Sequence, residues 1–292
     1  MKATQVTPFF DQETNTVSYL ITDTLSQTCA IIDSVLDYDP AASETSSKSA
    51  DLLINHINDN KLTLLWILET HVHADHLSAA PYLQTKLGGQ IAIGKEITQV
   101  QDIFTNLLNI TDSCATDGSQ FDLLLAEGDE LALGESRVKV MHTPGHTPAC
   151  ISYYFEGACF VGDTLFMPDY GTARCDFPGG DANTLYHSIQ KILSLPDDTQ
   201  IFTCHDYKAE NRDFYAWQSS VLEQKQNNLH INQSINEAQF TQMRRYKDAK
   251  LNMPKLIWPA VQINMRAGKF PNAEQNHHHY LKVPISHGSI KS

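Results

Sequence analysis

The chain has 292 residues, 41% of them hydrophobic and 19% charged, and a formal net charge of −13. This length supports a sizeable core in one large domain or two small ones, and the acidic balance argues against phosphate backbones and anionic membranes, so neither nucleic acid nor membrane is an expected partner. The N-terminus lacks the basic-then-apolar pattern of a signal peptide, no window approaches the roughly 18 apolar residues of a membrane span, and six scattered cysteines without CxxC pairs read as reduced thiols of a cytoplasmic protein.

Apolar, β-branched runs open the chain. Val17 to Thr22 and Cys29 to Val35 read as a hairpin across the polar stretch Asp23 to Gln27. A polar loop, Ala41 to Ala50, precedes a helix whose apolar residues are Leu52, Leu53, Ile54 and Ile57, and Leu62 to Leu68 suits a buried strand. Ala79 to Leu87 reads as a helix ended by Gly88-Gly89, with a strand resuming over Gln90 to Ile93. Asp129 to Tyr154 holds two or three strands with turns at Gly134 and near Pro144. Ile151 to Phe155 pairs with Ala158 to Val161 around Glu156-Gly157, Thr184 to Leu195 is an amphipathic helix, and Gln200 to Thr203 is a short strand. Gln218 to Gln239 is polar, Ser234 with Glu237 suggests a capping box for a helix reaching about Lys250, and Met253 to Ala267 reads as a tail with two prolines. Strands alternating with helices imply a mixed α/β domain.

Four motifs sit at predicted strand ends, where α/β proteins place their chemistry. His71-Val72-His73-Ala74-Asp75-His76 puts three imidazoles and a carboxylate within six residues, donors that suit zinc and non-haem iron. In extended backbone His71 and His73 point to one side, and a turn there lets Asp75 and His76 face a second position. In His142-Thr143-Pro144-Gly145-His146 the Pro-Gly turn aims His146 toward the same place, while His142 reads as a structural histidine. Asp163 ends the apolar run Phe160-Val161-Gly162, where a carboxylate is costly unless paired or ligating a metal. His205, in Thr203-Cys204-His205-Asp206-Tyr207, completes the set, and Tyr207 either packs or offers a phenol to a substrate. Asp33, after Ala30-Ile31-Ile32, reads as a structural hydrogen-bonding residue. His277-His278-His279 reads as a solvated run, Cys175 as an inert thiol, and strand alternation turns Cys204 away from the ligands.

In this order and spacing, THxHxDH, HTPGH, GD and CHDY resemble the metallo-β-lactamase superfamily over most of residues 7–207. The resemblance implies an α/β fold, an αβ/βα sandwich of two mixed β-sheets flanked by helices, with metal at one edge. A narrower set of segments, Met167 to Asp181 (MPDYGTARCDFPGGD), Thr184 to Ser188, Leu251 to Lys255 and Asn264 to Gly268, is similar to the persulfide dioxygenase (sulfur dioxygenase) family, in particular its bacterial β-lactamase-like hydrolase branch. That similarity extends to about residue 271. It implies one catalytic domain over 1–271 with a polar helical insertion at 208–250, then a C-terminal tail over 272–292.

The narrower resemblance implies a non-haem Fe(II) enzyme oxidising glutathione persulfide, or a related low-molecular-weight persulfide, with O₂ to sulfite and thiol. Carried over residue by residue, it implies one iron per chain on His71, His146 and Asp163, with His73, Asp75, His76 and His205 around them. Arg174 would meet the thiol's carboxylate and Tyr207 would hydrogen-bond near the iron or sulfur. A homodimer is implied by the family alone. The alternative is a zinc hydrolase such as a hydroxyacylglutathione hydrolase-like thioesterase, with one or two zinc ions. With two, His71, His73 and His146 would hold one, Asp75, His76 and His205 the other, and Asp163 would bridge them. Asp75 would then orient the nucleophile. The sequence keeps all seven ligand positions and leaves one metal or two open.

Overall fold

The computed structural model describes residues 4–285. β1 (Thr4–Asp11), β2 (Thr16–Asp23) and β3 (Thr28–Ile32) form an antiparallel meander, from which β4 (Val35–Asp39) and β5 (Glu44–Ser46) branch as a small hairpin. α1 (Lys48–Asp59) carries the chain to β6 (Thr63–Leu68), parallel to β3. β7 (Leu77–Ser78) pairs with β4, and α2 (Ala80–Leu87), β8 (Gln90–Gly94), α3 (Ile97–Leu108) and β9 (Leu123–Leu125) continue the winding with parallel pairs. The first sheet therefore runs β1-β2-β3-β6-β8-β9. The second runs in chain order through β10 (Glu130–Leu133), β11 (Ser136–His142), β12 (Ile151–Phe155) and β13 (Ala158–Phe160). After α4 (Ala182–Leu193) it resumes with β14 (Gln200–Phe202) and β15 (Gln218–Ser220). α5 (Val221–Asn227), α6 (Glu237–Asp248) and α7 (Ile257–Asn264) follow.

Side-chain alternation explains the layers. In β2 and β3, Leu20, Cys29 and Ile31 face one way and pack with Leu53, Leu83, Phe104 and Val261 of the helices. Val17, Tyr19, Ile21, Ala30 and Ile32 face the other way and meet Val138, Tyr153 and Phe160 of the second sheet. The outer face of that sheet, with Cys159, Val161 and Ile201, is covered by Leu185, Ile189 and Phe240 of α4 and α6. β2, β3, β8, β12 and β13 are largely buried on both faces, which is why they read as apolar runs, whereas β10 and β11 alternate buried and exposed residues. The result is the expected αβ/βα sandwich of two mixed sheets flanked by helices.

Several local expectations change. The cap of α6 is Asn236 with Gln239, not Ser234 with Glu237. Ser234 Oγ instead donates to Asn232 Oδ1 (2.6 Å), and Glu237 becomes the first helical residue. The expected tail 253–267 contains α7, because Pro259 falls in its first turn, where no intrahelical N–H bond is lost. α3 has the spacing Ile97, Val100, Phe104, Leu108 on its buried face, a helical period that the preceding glycines and strand had masked. The loop 41–50 contains β5 and the start of α1. Residues 272–285 of the tail carry no helix or strand, and residues beyond 285 lie outside the described part. All six cysteines are unpaired and buried. No helix among the described residues is long and apolar enough to cross a membrane.

Two long-range contacts aim the motif loops. Gly145 has φ +137°, and a Cβ there would lie 2.3 Å from Leu185 Cα, so only glycine lets the His142–His146 turn lie against α4. Asn264, at the end of α7, donates from Nδ2 to the His73 carbonyl (2.9 Å) and the His76 carbonyl (2.8 Å), and its Oδ1 accepts from Ser78 N (2.8 Å). One buried amide thus ties the histidine-rich segment to the last helix. Gly145→Ala should destabilise the fold by more than about 1 kcal/mol in denaturant unfolding, since strain and a backbone clash add; unchanged stability would contradict the close approach. Asn264→Ala removes three buried hydrogen bonds and should cost about 3 kcal/mol in the same measurement, with weaker metal retention in a chelator competition.

Candidate metal centre

The segment that follows β6 supplies His71, His73, Asp75 and His76, the turn between β11 and β12 supplies His146, and the residues after β13 and β14 supply Asp163 and His205. The structure brings all seven together. His71, His146 and Asp163 form one group whose ligand atoms lie within 4.8 Å of one another, and His73, Asp75, His76 and His205 form another. Asp163 Oδ2 stands 3.9 Å from His71 Nε2 and 3.7 Å from His146 Nε2, while its Oδ1 stands 3.3 Å from His205 Nε2. His205 Nε2 is 3.1 Å from Asp75 Oδ2. The arrangement places His73 with Asp75, His76 and His205, whereas the two-zinc pattern would group it with His71 and His146.

The outward-facing ring nitrogens are held from behind. His71 Nδ1 lies 2.9 Å from Thr70 Oγ1, and His146 Nδ1 lies 2.7 Å from the Arg174 carbonyl. His205 Nδ1 is 3.3 Å from both the Asn15 carbonyl and Thr16 Oγ1. Asp33, in the left-handed region at φ +53°, accepts from Thr70 N (2.7 Å) and Thr70 Oγ1 (2.8 Å), with His73 Nε2 3.0 Å from its Oδ1. Glu69 Oε2 is 3.5 Å from the same His73 nitrogen, and Glu69 Oε1 accepts from Ser78 Oγ. Such outer partners fix the tautomer and orientation of a ligating imidazole. Asp33 fills the structural role read from the sequence. Thr70 and Asn264 entered there only as parts of motif segments, and Glu69 was assigned no role, because their partners lie outside their local sequence.

Burial sets the protonation states. It pulls His71 far below the ordinary imidazole range, and the adjacent histidines add to the effect, so the ring is neutral and able to ligate. His76 is lowered by burial and by His73 as well. Burial opposes the charged form of His73 too, but the Asp33 and Glu69 carboxylates outweigh it and raise that pKa. Burial would raise Asp33 and Asp75, yet His73 and Thr70 hold Asp33 down, and His205 and His76 hold Asp75 well below the usual carboxylate range. Glu69 goes up, chiefly through burial.

The donor set suits a bound cation. His73 Nδ1, His76 Nε2, His205 Nε2 and Asp163 Oδ1 are buried polar atoms with no hydrogen-bond partner. The close approaches of His205 to the two carboxylates are misaligned for hydrogen bonds, so these atoms face a common centre rather than each other. Each buried unsatisfied polar atom costs about 1–3 kcal/mol, and metal ions taking nitrogen and carboxylate ligands would relieve that cost.

The remaining sequence candidates divide. Tyr207 lies beside the centre: its ring stacks on His205 at 5.7 Å, its hydroxyl is 3.5 Å from Asp75 Oδ2, and 40% of the residue is exposed. Burial of the hydroxyl end together with Asp75 and Asp163 pushes its pKa up, so the phenol is a proton donor. Arg174, expected to meet a substrate carboxylate, lines the cleft, and three of its five guanidinium N–H groups are engaged within the protein. It forks onto Asp176 (2.6 and 2.7 Å) and donates to the Asn252 carbonyl, and it is its main-chain oxygen that reaches His146. Cys204 Sγ, expected to point away, lies under the cluster within 4.8 Å of ligand atoms of Asp33 and His73. Burial raises its thiol far above the usual range, which leaves it inert. Cys175 donates to Asp248 and is pushed up to about 12 by burial. His142 Nε2 contacts the Pro148 carbonyl, and His277 to His279 are exposed and outside both groups.

The centre opens into a cleft of about 1050 Å³, with Asp75, His146 and Asp163 among its lining residues. Phe166, Tyr170, Phe177 and Tyr207 give it apolar walls. The 208–250 segment, expected as a polar insertion, is a wall of this cleft and contributes Tyr246, Lys247 and Lys250.

The family model of the metallo-β-lactamase superfamily matches residues 12–205. A probable metallo-hydrolase of Burkholderia pseudomallei is 53% identical, over 95% of this chain and 97% of that protein. Glyoxylase B2 of Dictyostelium discoideum is 45% identical over 96% of each. The human mitochondrial persulfide dioxygenase ETHE1 is 32% identical over 89% of this chain and 87% of its own. Among solved structures, ETHE1 from Myxococcus xanthus superposes with a TM-score of 0.71 at 27% identity, covering 91% of this chain and all of that one. With the sandwich, the seven-residue cluster and these similarities, the chain belongs to the metallo-β-lactamase superfamily.

Proposed function

We propose that this enzyme is a non-haem Fe(II) persulfide dioxygenase, converting glutathione persulfide or a related small persulfide, with O₂, to sulfite and thiol. The observation that carries the reading is the group of His71, His146 and Asp163, two imidazoles and one carboxylate within 4.8 Å of one another beside an open cleft. That donor set is the facial triad of iron oxygenases, which leaves coordination positions free. The similarity to human ETHE1 over nine-tenths of the chain supports it. One iron(II) on these three residues would supply oxygen activation next to the persulfide sulfur.

The chain's own residues do the rest. The Arg174 carbonyl and Thr70 Oγ1 orient His146 and His71. Phe166, Phe177 and Tyr170 exclude water from the reacting end of the cleft. The Tyr207 hydroxyl, kept protonated, donates to Asp75 Oδ2 over a long 3.5 Å and would exchange that contact for a hydrogen bond to the substrate sulfur. His205, His76 and His73 hold Asp75 in its ionised form.

A second reading has its own observation. The orphaned nitrogens of His73, His76 and His205, with Asp75, form a second donor group, and two relatives bear the names probable metallo-hydrolase and glyoxylase B2. With zinc in one or both groups, the enzyme would hydrolyse a thioester, and Asp75 would orient the attacking water.

Single-site variants separate the two. In the iron reading, His71→Ala loses its metal and its sulfite production, by more than the about 10–100-fold that loss of an outer partner costs. His76→Ala keeps one iron per chain and measurable activity. A His76→Ala protein as metal-free and inactive as His71→Ala, in metal analysis and a sulfite assay, would contradict the single-iron assignment.

A further inference from the structure

Arg212 stands outside the lining of the cleft, yet it joins the two turns that supply the cleft with Tyr170 and Tyr207. Its side chain is 9% exposed. Nε and Nη2 donate to the two oxygens of Asp169, at 2.7 and 3.2 Å. Nη1 and Nη2 donate to the two oxygens of Asp206, at 2.6 and 2.7 Å. Nη1 also donates to the Phe214 carbonyl at 2.8 Å. A guanidinium has five N–H groups, and here two carboxylates and one carbonyl take all five.

The two carboxylates serve different turns. Asp206 is buried, accepts from Lys208 N and Ala216 N as well, and stands in the chain between His205 and Tyr207. Tyr207 stacks on His205 and reaches toward Asp75. Asp169 is partly exposed and precedes Tyr170, in a turn closed by Tyr170 N and Gly171 N on the Met167 carbonyl. The Tyr170 ring lies 5.5 Å from that of Tyr207. Phe166 stands edge-on to both rings, at 5.7 Å from Tyr170 and 6.1 Å from Tyr207. All three rings line the cleft together with Asp163. A solvated ion pair between mobile side chains is worth little. A rigid fork on a buried carboxylate instead fixes the segments it joins relative to each other.

We propose that Arg212 is a positioning residue of this enzyme. Its fork on Asp206 sets Tyr207 against His205 and Asp75, and its fork on Asp169 sets Tyr170 against Tyr207 and Phe166. Together the forks hold the aromatic wall that receives the sulfur end of the substrate, since sulfur packs favourably against aromatic ring edges. The identity of that guest rests on the persulfide reading above; the placement of the rings does not. The two forks therefore act on different parts of catalysis. Loosening Tyr170 costs a contact to the bound sulfur, whereas loosening Tyr207 also displaces a proton donor at the reacting end.

Two variants and two readouts test this. D169N weakens one fork and leaves the buried Arg212–Asp206 pair intact; R212K keeps the charge and cannot form either fork. In a sulfite assay with glutathione persulfide, D169N should raise KM about two- to tenfold, the loss of a sulfur–aromatic contact, and act on KM more than on kcat. R212K should lower kcat as well, by about tenfold or more, the cost of a misplaced reacting group. The second readout needs no substrate: zinc-loaded, diamagnetic protein with 13C-labelled tyrosine rings, the signals assigned with Y170F and Y207F. D169N should move the Tyr170 signal more than that of Tyr207, and R212K should move both. Folded R212K with both ring signals unmoved, or with lowered thermal stability but unaltered KM and kcat, would overturn the proposal and leave Arg212 a purely structural residue. Should R212K fail to fold, an unmoved Tyr170 signal in D169N overturns it equally. No sulfite from the unaltered protein would count against the dioxygenase reading instead, and the ring spectra would still decide the role of Arg212.

Discussion

The Asp33 carboxylate accepts from the Thr70 amide and hydroxyl and stands 3.0 Å from His73 Nε2, so one buried charge fixes the start of the segment that carries the first three histidines. Asp33 N in turn donates to the Leu68 carbonyl, which ties the end of β3 to the end of β6. Through Thr70 the same carboxylate sets His71 Nδ1 and hence the direction of His71 Nε2. A buried carboxylate is tolerable only with this many donors. Its removal would leave Thr70 and His73 unpaired in the core, and the ligand geometry would relax with them.

The acidic chain concentrates a different charge pattern where it matters. The net charge is −13, yet the cleft wall contributed by α6 and the residues after it carries Lys247, Lys250 and Lys255. Opposite them lie the carboxylates and imidazoles of the cluster. Cations on the wall of a cleft raise the local concentration of small anions there. The 208–250 segment looks like an inserted, polar stretch, yet it packs its Phe240 fully into the core beneath α4.

Much of this was legible in the sequence because the chemistry is local. His71 to His76 lie within six residues, and Gly145 marks a turn that only glycine can make. The sandwich was legible because strands buried on both faces are continuous apolar runs. What stayed hidden depends on contacts between distant parts of the chain. Asn264 staples a segment some 190 residues away, and Arg174 meets Asp176 instead of solvent because the Asn252 carbonyl closes its fork. α7 was hidden by a proline that is harmless only in a first helical turn.

The proposed oxygenase chemistry rests on a single iron held by His71, His146 and Asp163. Elemental analysis of anaerobically purified protein, paired with an oxygen electrode and glutathione persulfide, tests it most directly. About one iron per chain is expected, with oxygen consumption that depends on the persulfide and yields sulfite. Two zinc ions per chain, with no oxygen consumption even after iron reconstitution and with thioester hydrolysis instead, would contradict it.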